Sequence, residues 1–523
     1  MAFNSTAVLA CSPSTIPLPT VFGTEILSLE ATQVTNFSRN VGIGLYMNHG
    51  GVDVHGANFC NVSISYTHPG QNDTVNVQMF LPSEGWNGRM QAIGGNGWQA
   101  GLNFVTLAGM TAAMGEGYAS LSTDAGLGTA ESATWGLLSP GNPNRYLLQN
   151  LVATTLNDLS LIGKNLINSF YGGPPVHSYF NGCSQGGRQG MMLAQRYPEA
   201  FDGIAASAPA INWSELFVGD LWANIIMNTE GVFPRACEMQ AINEAVIKSC
   251  DANDGLVDGL IADPGSCEFD PLTLVGTSIN CTETGKDMAI SAGAAHLTQQ
   301  LWDGPKKADN TSMWFGFPKG TVLSSTDTSS GGTVALTTCT DDGICHASPL
   351  VLLTDWVTKF VAKDDAIDIS KLTRKDFETL FRASVNEYGS VTDTNDPDLS
   401  AFRARGGKIV GYHGLRQADS IITPASTTHY YDAVTARDAD VHDFYRVFLT
   451  PGLGHCFGGN GAFPAGTFDA MRAWVENGTA PETLSAVSVG TSPVLKRTLC
   501  PYPLKQTYDG VGNATNGEGF TCA

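Results

Sequence analysis

The chain is short of positive charge. Its 28 lysines and arginines face 49 aspartates and glutamates, a formal net charge of −21 at pH 7 and a pI near 4.7. A surface of that sign repels polyphosphate backbones and anionic lipid, so neither nucleic acid nor an acidic membrane is expected as a partner. Charge of either sign is scarce, 15% of residues against 42% hydrophobic. The exterior is then dressed with Ser, Thr, Asn and Gly, as in a soluble globular protein. No apolar run approaches the about 20 residues of a membrane helix, and no membrane partner is expected. No CxxC pair occurs, which leaves zinc ribbons and dithiol redox sites without a signal. The N-terminal MAFNSTAVLACSPS lacks the basic n-region and long apolar h-region of a secretory leader, so any leader is expected to have been removed or never present. No repeat of fixed period is apparent.

Cysteine, by contrast, is plentiful. Twelve make an even set, and Cys250 with Cys267, Cys339 with Cys345, and Cys500 with Cys522 lie close in sequence. That usage belongs to an oxidising compartment. Glycosylation sequons stand at Asn4, Asn36, Asn61, Asn72, Asn212, Asn280, Asn310, Asn477 and Asn513. Each alone is weak, but their density beside the cysteines points to a secreted, extracellular glycoprotein.

A length of 523 residues fits one α/β core with one insertion. CNVSISYTH and DTVNVQMFLP alternate as half-buried antiparallel edge strands, and RMQAIGGNGW is a short strand running into glycines. VTLAGMTAAMGEGYASLSTDAG reads as helix, turn and strand. NRYLLQNLVATTLNDLSLIGKNLINSFYG has helical apolar spacing and ends at glycine, which predicts one amphipathic helix. VHSYFNG, GGRQGMMLAQRYPEAFD and GIAASAPA then alternate strand, helix and strand, the rhythm of a parallel sheet covered on both faces. The rhythm stops between about Ile211 and Leu399, where Cys, Asp, Thr and Gly abound and SSTDTSSGGTVALTT is low in complexity. It returns in GGKIVGYHG, HDFYRVFLTPG and the helical GTFDAMRAWVENG. The expected organisation is a core from 1–211 and 399–523, split by a lid domain at 212–398.

Gly182-Cys183-Ser184-Gln185-Gly186 fits G-x-S-x-G between a strand and a helix, the setting in which that turn projects a nucleophilic serine. A serine hydroxyl needs a base to take its proton and a carboxylate to orient the base, here in the order Ser, acid, His. KIVGYHGLRQADSIITP offers Asp419 beyond a strand, and FYRVFLTPGLGHCFGG offers His455 beyond another. Taken singly, Asp419 reads as well as a helix N-cap and His455 as a loop histidine satisfied by backbone. His413 competes for the role of base, but lies nearer its strand and ahead of Asp419, which suits a structural role. If Ser184 meets His455, their neighbours Cys183 and Cys456 are drawn together, and a disulfide tolerates Cα separations of about 4.4 to 6.8 Å. That bridge would staple nucleophile loop to base loop; two free buried thiols are the other reading. For the oxyanion hole, backbone N–H groups are expected from Gln185, after the nucleophile, and from Gly95 in IGGNGW, with Gly94 as substitute.

Cys183-Ser184, Asp419 and His455-Cys456 together resemble the tannase and feruloyl esterase family of secreted fungal and bacterial hydrolases. The resemblance runs over nearly the whole chain, and NGCSQGGRQGMMLAQRYPEAFDGI looks closer to the feruloyl esterases. It implies an α/β-hydrolase core with a large inserted lid and a serine esterase acting on hydroxycinnamoyl esters, small aromatic-acid esters or feruloylated cell-wall polysaccharide, with no organic cofactor. A tannase acting on galloyl esters is the nearest alternative, a serine peptidase a weaker one, and a non-catalytic, calcium-stabilised wall-binding protein the alternative outside enzymes. In CDANDGLVDGLIADPGSC, Asp251, Asp254 and Asp258 are spaced to converge hard oxygen ligands on a structural Ca²⁺. The loop is not an EF-hand. Likeness to the family's lid site would add the carbonyls of Leu256 and Leu260, and Cys250 and Cys267 would close the loop. A solvated acidic turn is the plain alternative. Trp98, Phe233, Trp302 and Phe317 are candidate aromatic residues for an acyl pocket, none singled out.

Overall fold

Two long strands, β1 (Glu25–Val41) and β2 (Val52–Thr67), pair antiparallel and lead into β3 (Val75–Pro82). This computed structural model describes residues 8–129, 131–326, 332–340, 342–415 and 419–523. The Asn4 sequon and part of the low-complexity stretch lie outside them.

After β3 come β4 (Arg89–Ile93), helix α1 (Phe104–Gly115), β5 (Ala119–Thr123), helix α2 (Thr155–Tyr171) and β6 (His177–Cys183). Then follow α3 (Gln185–Arg196), β7 (Gly203–Ser207), α4 (Trp213–Asp220), α5 (Arg374–Thr392), β8 (Lys408–Leu415), α6 (Pro424–Arg437), β9 (Tyr445–Pro451) and α7 (Thr467–Asn477). The nine strands form one mixed sheet in the order β1-β2-β3-β5-β4-β6-β7-β8-β9. Pairing is antiparallel as far as β5 and parallel from β5 to β9. The parallel strands are buried on both faces, as βαβ crossovers require. Helices α1 and α7 cover one face, their Met110, Phe468 and Met471 meeting Tyr179 and Val410. Helices α2, α3 and α6 cover the other. This is the α/β-hydrolase architecture, with an antiparallel flank.

Two local readings change. The edge of the sheet is not β2 but β1, whose side chains are exposed or half-buried almost throughout. With no buried face, it carries no apolar alternation to read. The helix expected over 144–172 is interrupted by a π-type turn at Asn150–Thr154 before α2 resumes, and it ends on Gly172 in the left-handed conformation at φ 76°. The turn has a partner: the guanidinium of Arg188 on α3, wholly buried, donates to the Val152 and Leu151 carbonyls at 3.0 and 3.3 Å. Carbonyls loosened by a π-turn are thereby satisfied, as burial demands.

Between β7 and β8, neighbours in the sheet, the chain departs for residues 208–407. This insertion is largely helical, with short two-stranded hairpins. Its Trp213, Phe217, Trp356 and Phe360 pack with Trp98 in the same apolar cluster as Met191 of α3, so the core continues into it without a break.

All twelve cysteines are paired. The three sequence-near pairs and Cys183–Cys456 are bonded, joined by Cys11–Cys60 and Cys237–Cys281. Among the described residues no helix is long and apolar enough to cross a membrane.

Candidate active site

Ser184 stands between β6 and α3 with φ 62° and ψ −123°. An L-residue takes that conformation only when its surroundings force it. Here the force is the close meeting of strand, helix and neighbouring loop: a Cβ on Gly182 would come within 2.5 Å of the Gly186 backbone, and one on Gly186 within 2.9 Å of the Gly95 carbonyl. The Ser184 N–H donates to Ser207 O at 3.1 Å, tying the turn to β7.

The loops after β8 and β9 bring the other two groups. Ser184 Oγ lies 2.8 Å from His455 Nε2, and His455 Nδ1 lies 3.0 Å from Asp419 Oδ2. Asp419 is buried, and its Oδ1 accepts the amides of Ile421 and Ile422 at 3.3 and 2.9 Å. Burial alone would raise its pKa, but the His455 and His413 imidazoles beside it outweigh burial and hold the carboxyl well below the usual range. An ionised Asp419 accepts the Nδ1–H of His455, which turns the Nε2 lone pair toward the serine. Cys183 and Cys456 are bonded with Cα atoms 5.9 Å apart, both nearly buried beneath Met47. Cys456 sits at φ 66°, with its carbonyl held by the Tyr412 hydroxyl at 2.6 Å.

The glycine loop is more committed than the sequence implied. Gln185 occupies the first position of α3, where an N–H has no helical acceptor and is available to an anion. The Gly95 N–H, by contrast, donates to Gln189 Oε1 at 2.8 Å, and Gly94 N–H donates to Asn181 O at 2.9 Å. Gln189 also donates to Ala100 O at 3.0 Å, so one buried side chain braces both ends of the loop. An oxyanion can use Gly95 only by sharing a proton already bonded. Arg188 Nε holds the Gln185 side chain at 2.7 Å, linking the π-turn to the residue after the nucleophile.

Above Ser184 opens a cavity of about 420 Å³, walled by Leu45, Met47, Ile93, Val105, Leu352, Ile421 and Phe457, with Asn96, Thr106 and Asn181 among them. None of the four aromatic candidates is in that wall. Trp98 belongs to the core cluster, Phe233 packs on His346, and Trp302 and Phe317 line a separate cavity. Met47 and its neighbour Asn48, which bonds Asn181 Oδ1, Gly182 O and Ser207 Oγ, come from a loop between β1 and β2 without a motif to mark it. His413 does not reach the serine's base position; it lies on the far side of Asp419, with Nε2 3.1 Å from Asp419 Oδ2.

The acidic loop suits a hard cation in several respects. Asp254, Leu256, Asp258 and Leu260 line one small cavity of about 20 Å³. Burial and mutual repulsion push the Asp254 carboxyl up, and burial does the same for Asp258 despite the Arg497 guanidinium bonded to it. Crowded carboxylates of raised pKa are what a cation would relieve. Asp251 instead accepts the Asp258 and Gly259 amides at 3.2 and 2.9 Å, shaping the loop. Cys250–Cys267 closes it.

The family model for tannase and feruloyl esterase matches residues 60–523. A protein of Arthroderma benhamiae named "Probable feruloyl esterase" is 37% identical over 98% of this chain and 93% of its own length. The tannin acyl hydrolase of Aspergillus niger has a TM-score of 0.86 at 26% identity, covering 98% of this chain and 94% of its own. Feruloyl esterase B of Aspergillus oryzae shares the fold, with a TM-score of 0.78 at 23% identity over 96% of this chain and 97% of its own.

Proposed function

Because the chain belongs to the tannase and feruloyl esterase family, we propose that this carboxylic ester hydrolase is a secreted feruloyl esterase, cleaving hydroxycinnamoyl esters of plant cell-wall polysaccharide. The observation that carries the reading is the hydrogen-bonded line Ser184–His455–Asp419 at the floor of an apolar cavity.

Ser184 Oγ attacks the ester carbonyl as its proton passes to His455 Nε2. The carbonyl π electrons move onto oxygen, where the Gln185 amide, and the Gly95 amide shared with Gln189, receive the charge. Collapse expels the alcohol, which takes the proton from His455, and leaves the acyl group on Ser184. Water then repeats the sequence: His455 takes its proton, its oxygen adds to the acyl carbon, and the free acid departs as the proton returns to Ser184. Asp419, kept ionised by its donors, stabilises the imidazolium at both steps.

Seven apolar side chains around the acyl site, against the three polar ones of Asn96, Thr106 and Asn181, favour a lightly hydroxylated ring over a galloyl group, whose three hydroxyls need more buried polar partners. Asp251, Asp254, Asp258 and the carbonyls of Leu256 and Leu260 would hold Ca²⁺ as a structural ion. Six disulfides accord with an oxidising, extracellular setting.

Turnover of methyl ferulate and methyl gallate by the purified protein tests the substrate class, with ferulate expected to be faster. Preference for gallate would move the assignment to tannase. A serine-directed phosphonate should label Ser184, and an unlabelled, folded protein would favour the non-catalytic wall-binding reading.

A further inference from the structure

Asp419 serves two histidines. Its Oδ2 lies 3.0 Å from His455 Nδ1 and 3.1 Å from His413 Nε2, while its Oδ1 takes the two backbone amides. The second histidine is on β8, wholly buried, and cannot reach the serine.

His413's surroundings dictate where its proton sits. Nε2 faces two groups that only accept, the Asp419 carboxylate and the Ile422 carbonyl at 2.9 Å, so this nitrogen bears hydrogen. Nδ1 meets the Thr427 hydroxyl of α6 at 2.8 Å, which fixes the ring plane. The ring is thus held by strand, helix and loop at once, and its Nε2–H, bonded to the Ile422 carbonyl, stands 3.1 Å from the same oxygen that orients His455. Among the described residues, Asp220 at the end of α4 also feels the charge of Asp419, and its Oδ2 is buried and unpartnered. Burial, and the charge of Asp419 beside it, push its carboxyl up.

We propose that His413 is a positioning residue of the esterase reaction: its Nε2–H, anchored on the Ile422 carbonyl, stands against the Asp419 Oδ2 that His455 uses, helping to seat the carboxylate and moderating its pull on the base. The inference rests on the triad reading. It asks more of the structure than burial does, because a histidine kept only for packing would not alter the titration of His455.

The predicted effects have a direction. In His413→Phe the shared oxygen loses one neighbouring N–H, and the carboxylate is held by the two amides and His455 alone. The expected result is a fall in kcat of about tenfold, as for a slightly misplaced catalytic group, with KM within about twofold. With more charge left on Oδ2 the imidazolium of His455 is better stabilised, so the acid limb of the kcat/KM profile should move up by about half a pH unit. His413→Gln, whose side-chain amide supplies an N–H in place of Nε2–H, should recover most of the rate.

The test is kcat, KM and the pH profile on methyl ferulate for both variants, with folding followed by near-UV circular dichroism. An upward acid limb in His413→Phe, with rescue in His413→Gln, is the expected result; any other pattern in folded variants overturns the proposal. Should His413→Phe fail to fold, Thr427→Val decides by the same readouts, since it removes the ring's anchor. A smaller loss with an upward limb supports the proposal, and wild-type kinetics overturn it. Ser184→Ala runs alongside: full activity there sinks the triad itself, a failure separate from the His413 arms.

Discussion

Gln189 Oε1 accepts the Gly95 amide at 2.8 Å, one turn of α3 beyond the nucleophile, while its Nε2 donates to Ala100 O. A single side chain on the nucleophile's own helix therefore sets where the glycine loop stands relative to Ser184. Replacing it with leucine would strand a buried N–H and a buried carbonyl, a loss of about 1–3 kcal/mol each at most. Gln189→Leu should lower the melting temperature and reduce kcat about tenfold, with KM much less affected. Steady-state kinetics beside a thermal melt check this, and wild-type kcat in the folded variant would mean that the brace has no bearing on the oxyanion.

The Cys183–Cys456 bridge joins the residue before the nucleophile to the residue after the base. Its double replacement by alanine should leave the fold standing on the remaining five disulfides and the continuous core, because what it removes is alignment. We expect kcat to drop about 10- to 100-fold, the scale of a catalytic pair displaced by about 1 Å, and stability to fall by about 2–4 kcal/mol. Full activity in the double variant would show that packing alone holds the loops together.

Calcium removal should act on stability and spare the chemistry. With the ion in hundredfold excess over its Kd, a native-state site contributes about 2.7 kcal/mol. Chelation should lower the melting temperature by several degrees, calcium should restore it, and kcat on methyl ferulate at 25 °C should hold. An unchanged melt with calcium verifiably stripped tells against the site.

His68 supplies a pH dependence unrelated to the triad. It is buried between Asp158 and Asp73, with Nε2 at 3.1 Å and Nδ1 at 2.6 Å, and Asn150 completes the cluster from the π-turn. The Asp158 bond, aided by Asp73, outweighs burial and raises the imidazole from 6.5 to about 9. A folded pKa above the unfolded one contributes stability in full below pH 6.5 and loses it as pH rises through 9. The contribution is at most about 3 kcal/mol. Urea midpoints measured at pH 6 and 9.5 should fall further for the wild type than for His68→Gln. Equal falls would remove His68 from the account.

The meeting of Ser184, His455 and Asp419 and the disulfide beside it were readable because each is a dense local pattern: a glycine-framed serine, an aspartate and a histidine just past apolar strands, and cysteines beside two of the three. The parallel strands were equally plain, since burial on both faces leaves unbroken apolar runs. The rest was hidden for identifiable reasons. Strand β1 shows no buried face, so no period marks it. Met47 and Asn48 matter through contacts made far along the chain, which no spacing encodes. Donation from Gly95 to Gln189 depends on the angle at which two elements meet. The apolar wall over Ser184 differs in no way, as residues, from ordinary core. Aromatic content drew attention to Trp98 and Trp302, whereas the cavity over Ser184 takes its one phenyl ring from Phe457 and the rest of its apolar wall from leucine, isoleucine, valine and methionine.

Strands β6 and β9 stand three places apart, about 14 Å at the usual inter-strand spacing, yet the Cα atoms of Cys183 and Cys456 are 5.9 Å apart. The segment leaving Pro451 must therefore arch back across the ends of two intervening strands before it meets its partner. An arch that short has a fixed span. Variation among such enzymes should crowd into the insertion after β7, which is free to grow, while the stretch from 452 to 455 admits neither an added nor a missing residue.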